Sequence, residues 1–265
     1  SFREAGNYVD NIAIESRLEL IAFTIFMLSF LLTMPNKTIA QVGNYGLIYQ
    51  SSYNNAMFLT TKGAIERNMR HRSSEMKSSS NASSKSLSAD LNFSPSDQVH
   101  TKVLQSMAKI MSNGDEAKIK PNVNLLVNAN LLNKFDQLLR QYNFNSYNIA
   151  DVVCAFTILS WQTATGNDAA KTPAGIVIFR KNMLATLSNN DGIRNFNNAQ
   201  KQELAETISY LAVLITLANQ DPATRSNASA LLQLRQNARE AALKITGMDV
   251  TKYTLTQTGF IPKSN

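Results

Sequence analysis

From residue 94 onward the chain repeats one pattern, apolar side chains three and four positions apart, broken by short runs of Asn, Asp, Gly and Pro. That is the period of amphipathic helices rather than of half-buried strands. Val99, Val103, Met107 and Ile110, with Leu104 and Met111 beside them, make the first such face. Its start is predicted at Ser94-Pro95-Ser96-Asp97, which offers a cap, a proline at the first helical position and a carboxylate at the third. A second helix is expected over Asn124–Tyr142, with Leu125, Ala129, Leu132 and Leu139 on one side and Leu131, Phe135 and Leu138 widening the face. The third is the most apolar. Ile149, Val152, Val153, Phe156, Ile158, Leu159 and Trp161 point in nearly every direction around a 3.6-residue turn, which predicts a helix surrounded by others.

The ends of that central helix are equally legible. Asn148 can cap it, and Asp151 stands where its carboxylate can reach back to the Asn148 N–H in a relative of the capping box, with Tyr147 and Val152 placed as a hydrophobic staple. Gly166 takes the left-handed conformation cheaply and stops it. Thr172-Pro173 opens a fourth helix carrying Ile176, Phe179, Met183 and Leu187, and Asn197 with Gln200 opens a fifth whose stripe is Leu204, Ile208, Leu211, Ile215 and Ala218. Asp221-Pro222 starts a sixth, with Leu231, Leu234, Ala238, Ala241 and Ile245 facing inward and Gly247 as its stop. The tail from Tyr253 to Pro262 reads as an extended strap over the bundle. The fold expected is all-α, a bundle of about six helices with this C-terminal strap and a flexible N-terminal arm.

The first part of the chain has a different character. Leu20 to Met34 contains no charge, follows Arg17 and leads through Pro35 to Thr38-Ile39-Ala40, the layout of a signal peptide cut after Ala40. A membrane anchor is the competing reading, and it asks for about twenty apolar residues. Residues 1–40 are thus a signal peptide with an upstream extension, 41–72 an arm without sustained periodicity, and 73–92 a serine-rich linker too poor in apolar residues to offset its ordering entropy. The helical domain is expected over 93–265.

Composition narrows the chemistry. A chain of 265 residues that is 44% hydrophobic can bury a sizeable core. Its one cysteine, Cys154, sits inside the apolar helix and rules out an intramolecular disulfide. The net charge of +7 is spread on both sides of Phe93 without a dense stripe, so nucleic acid is not the expected partner. His71 and His100 are the whole imidazole supply, too few for a zinc or iron site of usual composition, and neither a metal nor a cofactor is expected. His100 reads as a solvated helix residue. The chain has no glycine-rich phosphate loop, Gly-x-Ser-x-Gly elbow or His-Glu-x-x-His.

What remains for catalysis is carboxylates. Glycoside hydrolysis needs two of them about 5–10 Å apart across a cleft. Glu203 and Glu206 share a helix face, and Asp151 stands at the central helix start, but acids in opening turns also suit the helix dipole, and that is the reading preferred for all three. Trp161 could stack on a sugar, yet in the last turn of an apolar helix it reads as core.

The run Tyr147-Asn148-Ile149-Ala150-Asp151 through Ser160-Trp161-Gln162 and Gly166, with Phe93-Ser94-Pro95-Ser96 before it and Gly247-Met248-Asp249 and Gly259-Phe260 after it, resembles an uncharacterised family of secreted bacterial helical proteins, a domain of unknown function. The resemblance covers Phe93 to Ile261; Thr157 departs from it, where an aromatic often stands. It implies a Gram-negative source and an extracytoplasmic helical domain, and it carries no catalytic residues with it. The expectation is therefore a periplasmic or secreted binding or interaction protein without catalytic activity. Its partner would be a protein or a cell-envelope component, and it would touch the membrane only through an uncleaved signal peptide. The alternative is a hydrolase of cell-wall glycan or peptide that uses Asp151, Glu203 or Glu206.

Overall fold

The computed structural model of the protein describes residues 91–263 apart from 113, 191–192 and 194. The spans read as signal peptide and arm and residues 73–90 of the span read as linker lie outside the described residues, as does His71. The folded body reaches back to Leu91, inside the span read as linker. Leu91 is fully buried, its carbonyl accepts from the Ile149 N–H at 3.1 Å, and Asn92 bridges to Asn148.

The all-α architecture stands. Its helices are α1 (Asp97–Met111), α2 (Ile119–Ala129), α3 (Leu131–Gln141), α4 (Ile149–Thr165), α5 (Pro173–Ser188), α6 (Asn198–Gln220), α7 (Pro222–Ser226) and α8 (Ala228–Thr246). Two of the expected helices are each split. Asn130 adopts φ +49°, ψ +43°, a left-handed conformation that asparagine tolerates better than other residues with a side chain, and it separates α2 from α3 within the expected Asn124–Tyr142 helix. The sixth begins at Pro222 as expected, then stops at Ser226. Asn227 turns extended and its side chain accepts from the Ala230 N–H, starting α8 afresh.

The start of α1 also differs. Ser96, not Ser94, is the N-cap, and its side chain makes no capping bond; the backbone here is held from outside the helix instead, as described below. Pro95 consequently precedes the helix and Asp97 is its first residue rather than its third.

α4 is the axis. It is buried from Ile149 to Ile158 without a break, caps on Asn148, ends on Gly166 at φ +75°, and packs most extensively on α6 and α8. α6 was expected to bury one stripe, and Leu204, Ile208, Leu211, Ile215 and Ala218 are indeed buried. So are Tyr210, Ala212, Val213, Leu214 and Leu217, because α6 lies between α4 and the layer of α1 and α3. α5 covers another side of α4 with Ile176, Phe179, Met183 and Leu187.

The strap is present and doubles back on itself. β1 (Tyr253–Thr256) pairs antiparallel with β2 (Gly259–Pro262), Thr256 opposite Gly259, across a tight turn. The hairpin lies against α5 and α4. Thr256 O comes so close to Gly175 that a β-carbon there would stand 1.8 Å from it, which explains glycine at that helical position. Trp161 donates its indole N–H to the Tyr253 carbonyl at 3.1 Å and meets the Phe260 ring edge-on, as does Phe179.

Candidate functional site

Of the three acids singled out in the sequence, Asp151 is the most enclosed, at 1% exposure. Asn148 does cap α4, accepting from the Ala150 and Asp151 N–H groups at 3.0 and 3.2 Å. Asp151 does not complete a capping box on Asn148, whose N–H donates to the Asn145 carbonyl. Its carboxylate accepts instead from the Asn145 N–H at 2.7 Å, one turn of chain further back. Its other partner is Arg180 of α5, which grips it with two bonds, Nε to Oδ1 at 2.6 Å and Nη2 to Oδ2 at 2.7 Å. The guanidinium also lies 4.8 Å from the Phe144 ring centre. These carboxylate bonds hold the Arg180 guanidinium even more firmly protonated than usual, while burial and the neighbouring Asp151 charge push the Cys154 thiol well above its ordinary range. Tyr147 turns its ring edge-on to Phe93, 5.8 Å between centres.

Glu203 and Glu206 belong to a second arrangement, a polar seam between α6 and the chain entering α1. Asn198, Gln202 and Glu206 recur every four residues and so share a face of α6. Asn198 exchanges two bonds with the Ser94 backbone, its Oδ1 accepting at 2.7 Å and its Nδ2 donating at 2.6 Å. Fully buried Gln202 does the same with Ser96, at 2.8 and 2.9 Å, and also donates to Glu206 Oε1 at 2.7 Å. His100 Nδ1 lies 2.9 Å from Glu206 Oε2; a carboxylate can only accept, so Nδ1 carries the hydrogen of that bond. Lys102 donates to Glu203 at 2.7 Å. His100 is thus a cross-helix partner rather than merely a solvated residue.

Beside this seam opens a cleft of about 270 Å³, walled by the start of α1, by α3, by the loop before α4 and by α6. Phe93 and Tyr147 supply rings to it, Asp97, Asp136 and Glu206 carboxylates, and His100 an imidazole. Asp136 accepts from Ser146 Oγ at 2.5 Å and from the Arg140 Nε at 2.6 Å. Asp151 and Glu203 do not line this cleft, so it brings together only Glu206 of the three acids, with Asp97 and Asp136 as neighbours that the sequence reading passed over. Burial and the nearby Glu206 charge push the Tyr210 hydroxyl well above its ordinary range. No serine or threonine hydroxyl among the described residues bonds the imidazole; Ser146 serves Asp136 and Ser209 the Ala205 carbonyl.

Trp161 is buried beneath the hairpin. Among the described residues no group of three or more His, Cys, Asp or Glu could hold a metal ion, and no helix is long and apolar enough to cross a membrane.

Fold and site together define an all-α bundle around one helix that is buried without a break from Ile149 to Ile158, with a polar cleft at the α1–α6 seam. The family of unknown function DUF6683 matches residues 21–261, and the chain belongs to that family. The match extends well N-terminal to the helical body and takes in the apolar run from Ile21 onward. No curated protein and no solved structure matches the chain.

Proposed function

We propose that the chain is an exported binding protein of a Gram-negative cell envelope, working in the periplasm or outside the cell, that recognises a protein or envelope component without catalysing a reaction on it. The observation that carries the non-catalytic half is the separate employment of the three candidate acids. Asp151 is closed off by Arg180, Glu203 is held by Lys102 and Glu206 by His100 and Gln202. Neither Asp151 nor Glu203 lines the cleft that Glu206 borders, so no two of these three acids face each other across it as a hydrolytic pair would. The export half is supported by the uncharged run Leu20–Met34 and the Thr38-Ile39-Ala40 exit.

Expression of the full chain in a Gram-negative host, followed by fractionation and N-terminal sequencing, tests export: the mature protein is expected to begin at Gln41, and one that retains Leu20 would be anchored instead. The purified protein incubated with peptidoglycan sacculi is expected to release no soluble fragments by mass spectrometry. Release that disappears in Asp151→Asn, Glu203→Gln or Glu206→Gln would put the hydrolase reading first.

A further inference from the structure

We propose that a segment of this same chain, Ala56-Met57-Phe58-Leu59, docks in an apolar groove between α3, α4 and α5 and seats its Phe58 ring there. The groove shares no residue with the polar cleft. Leu138 and Tyr142 come to it from α3 and its end, Ala155 and Leu159 from α4, Ala170 from the turn before α5 and Ile176 from α5. Leu138, Tyr142 and Leu159 are only half-buried, so apolar surface at this place stays open to water. No charged side chain lines the groove, and Gln162 and the Tyr142 hydroxyl are its only polar side-chain groups. Its occupant must therefore be apolar and uncharged, because a charge or an unpaired hydroxyl carried in would lose its hydration without a replacement. The space, about 40 Å³, is far below the roughly 300 Å³ at which small-molecule pockets begin. It suits one inserted side chain of a longer segment.

The chain carries such a segment upstream of the helical body. Residues 38–61 contain no charge, and within 41–90 the longest run free of polar side chains is Ala56-Met57-Phe58-Leu59. Tyr45, Tyr49 and Tyr53 would each bring a hydroxyl; Phe58 brings a ring alone. The family match over residues 21–261 spans this segment together with the helical body, so the two belong to one matched unit. Reach is sufficient. The chain enters the body at Leu91, whose carbonyl accepts from the Ile149 N–H at the start of α4. Leu159 lies further along the same helix, about 15 Å away at 1.5 Å per residue. A coil of the length of residues 60–90 averages about 30 Å between its ends, so the connection needs no stretching. A tether of this kind also supplies the segment at an effective concentration of about millimolar, ahead of a free partner with the same chemistry. Cleavage after Ala40 would leave the segment attached, and the inference stands apart from the binding reading above.

Cysteine cross-linking in the full chain tests this. Thr60→Cys, just past the segment, is combined with Gln162→Cys in the groove lining, and an equal mixture of isotope-labelled and unlabelled protein is oxidised mildly and read by peptide mass spectrometry. The native Cys154 is buried and does not compete. A disulfide between residues 60 and 162 of the same chain is expected, and adding Phe58→Ser is expected to lower its yield about tenfold, because the tether remains while the inserted ring is gone. Ser80→Cys paired with Gln162→Cys measures what the tether alone achieves, since residue 80 is closer along the chain to Leu91, and is expected to give the low yield. Lys171→Cys, exposed beside Ala170, replaces Gln162→Cys if that variant fails to fold, with the same yields expected. Absence of the cross-link in both folded pairings overturns the inference, as does a yield that Phe58→Ser leaves unchanged or that Ser80→Cys equals. A disulfide formed only between labelled and unlabelled chains overturns it in favour of a second copy as the occupant.

Discussion

At the start of α4 the carboxylate of Asp151 is closed in on every side, by two guanidinium bonds, the Asn145 N–H and the packed helix behind it. Along α1 and α6 the carboxylate of Glu206 is tied just as specifically, to His100 and Gln202, yet one side of it faces an open cleft. Both regions are built from the same kinds of group. What separates them is access to solvent, and with it the balance between a charge that fixes the fold and one that can still meet a ligand. The sealed corner uses up the whole recognition capacity of its acid, whereas the seam uses part of it.

If that contrast is right, the largest loss of stability follows from breaking the sealed corner on its exposed side. Arg180→Ala leaves Asp151 buried and without its countercharge, at a cost of about 3–5 kcal/mol. Asp151→Ala should cost less, because Arg180 is 29% exposed and can turn its charge towards water. The double variant should lose less than the sum of the two. Urea unfolding midpoints of the three variants provide the measurement, and an Arg180→Ala protein more stable than Asp151→Ala would mean that the pair is not sealed as described.

The seam should respond more weakly, and unevenly. Gln202→Ala removes the bonds to Ser96 N and O and to Glu206 from a fully buried position, and is expected to cost about 2 kcal/mol, the size of a few part-buried hydrogen bonds left open. Asn198→Ala removes the same kind of two-way contact to Ser94, but at an exposed site where water can replace it, and should cost under about 1 kcal/mol. Equal losses in the two variants would show that burial does not grade the seam.

The sealed corner was half legible and the seam hardly at all. Asn148, Asp151 and Gly166 announce the limits of α4 through local chemistry, and Ile149 to Trp161 announce its enclosure, because capping and periodicity act over a few residues. Arg180 stands 29 positions from the aspartate it grips, so the sequence pointed to the local N–H of Asn148 as the partner. The seam joins residues 101 to 106 positions apart. Its one local trace is the four-residue spacing of Asn198, Gln202 and Glu206 beside the apolar stripe of α6, a polar face that could have been read as a contact surface. Both helix breaks rest on asparagines, Asn130 and Asn227, that single-residue propensity treats as tolerable within a helix and that tertiary packing turns into corners.

The smallest expected effect sharpens the comparison, because the chain contains the same Arg–Asp fork a second time in a more open setting. Arg239 grips Asp249 with bonds of 2.9 and 2.6 Å, much like Arg180 on Asp151, but the arginine is 49% exposed. The Arg239 hydrogen bonds, working against partial burial and helped by Thr251, lower the Asp249 carboxyl from 3.8 to about 2. A depressed carboxyl stabilises the fold only while it is ionised. Its contribution is complete above the unfolded value near 3.8, falls as the acid range is entered and is gone below about 2. With so exposed an arginine, solvent screening holds that contribution to about 0.5 kcal/mol. Urea midpoints measured from pH 5 down to pH 2 should therefore fall less steeply in Arg239→Met than in the parent chain, by about that amount. Arg180→Met, which opens the sealed fork, should already be destabilised at pH 5. If Arg239→Met is destabilised as strongly as Arg180→Met at pH 5, geometry alone sets the strength of a fork, and burial is not what distinguishes the two ends of this molecule.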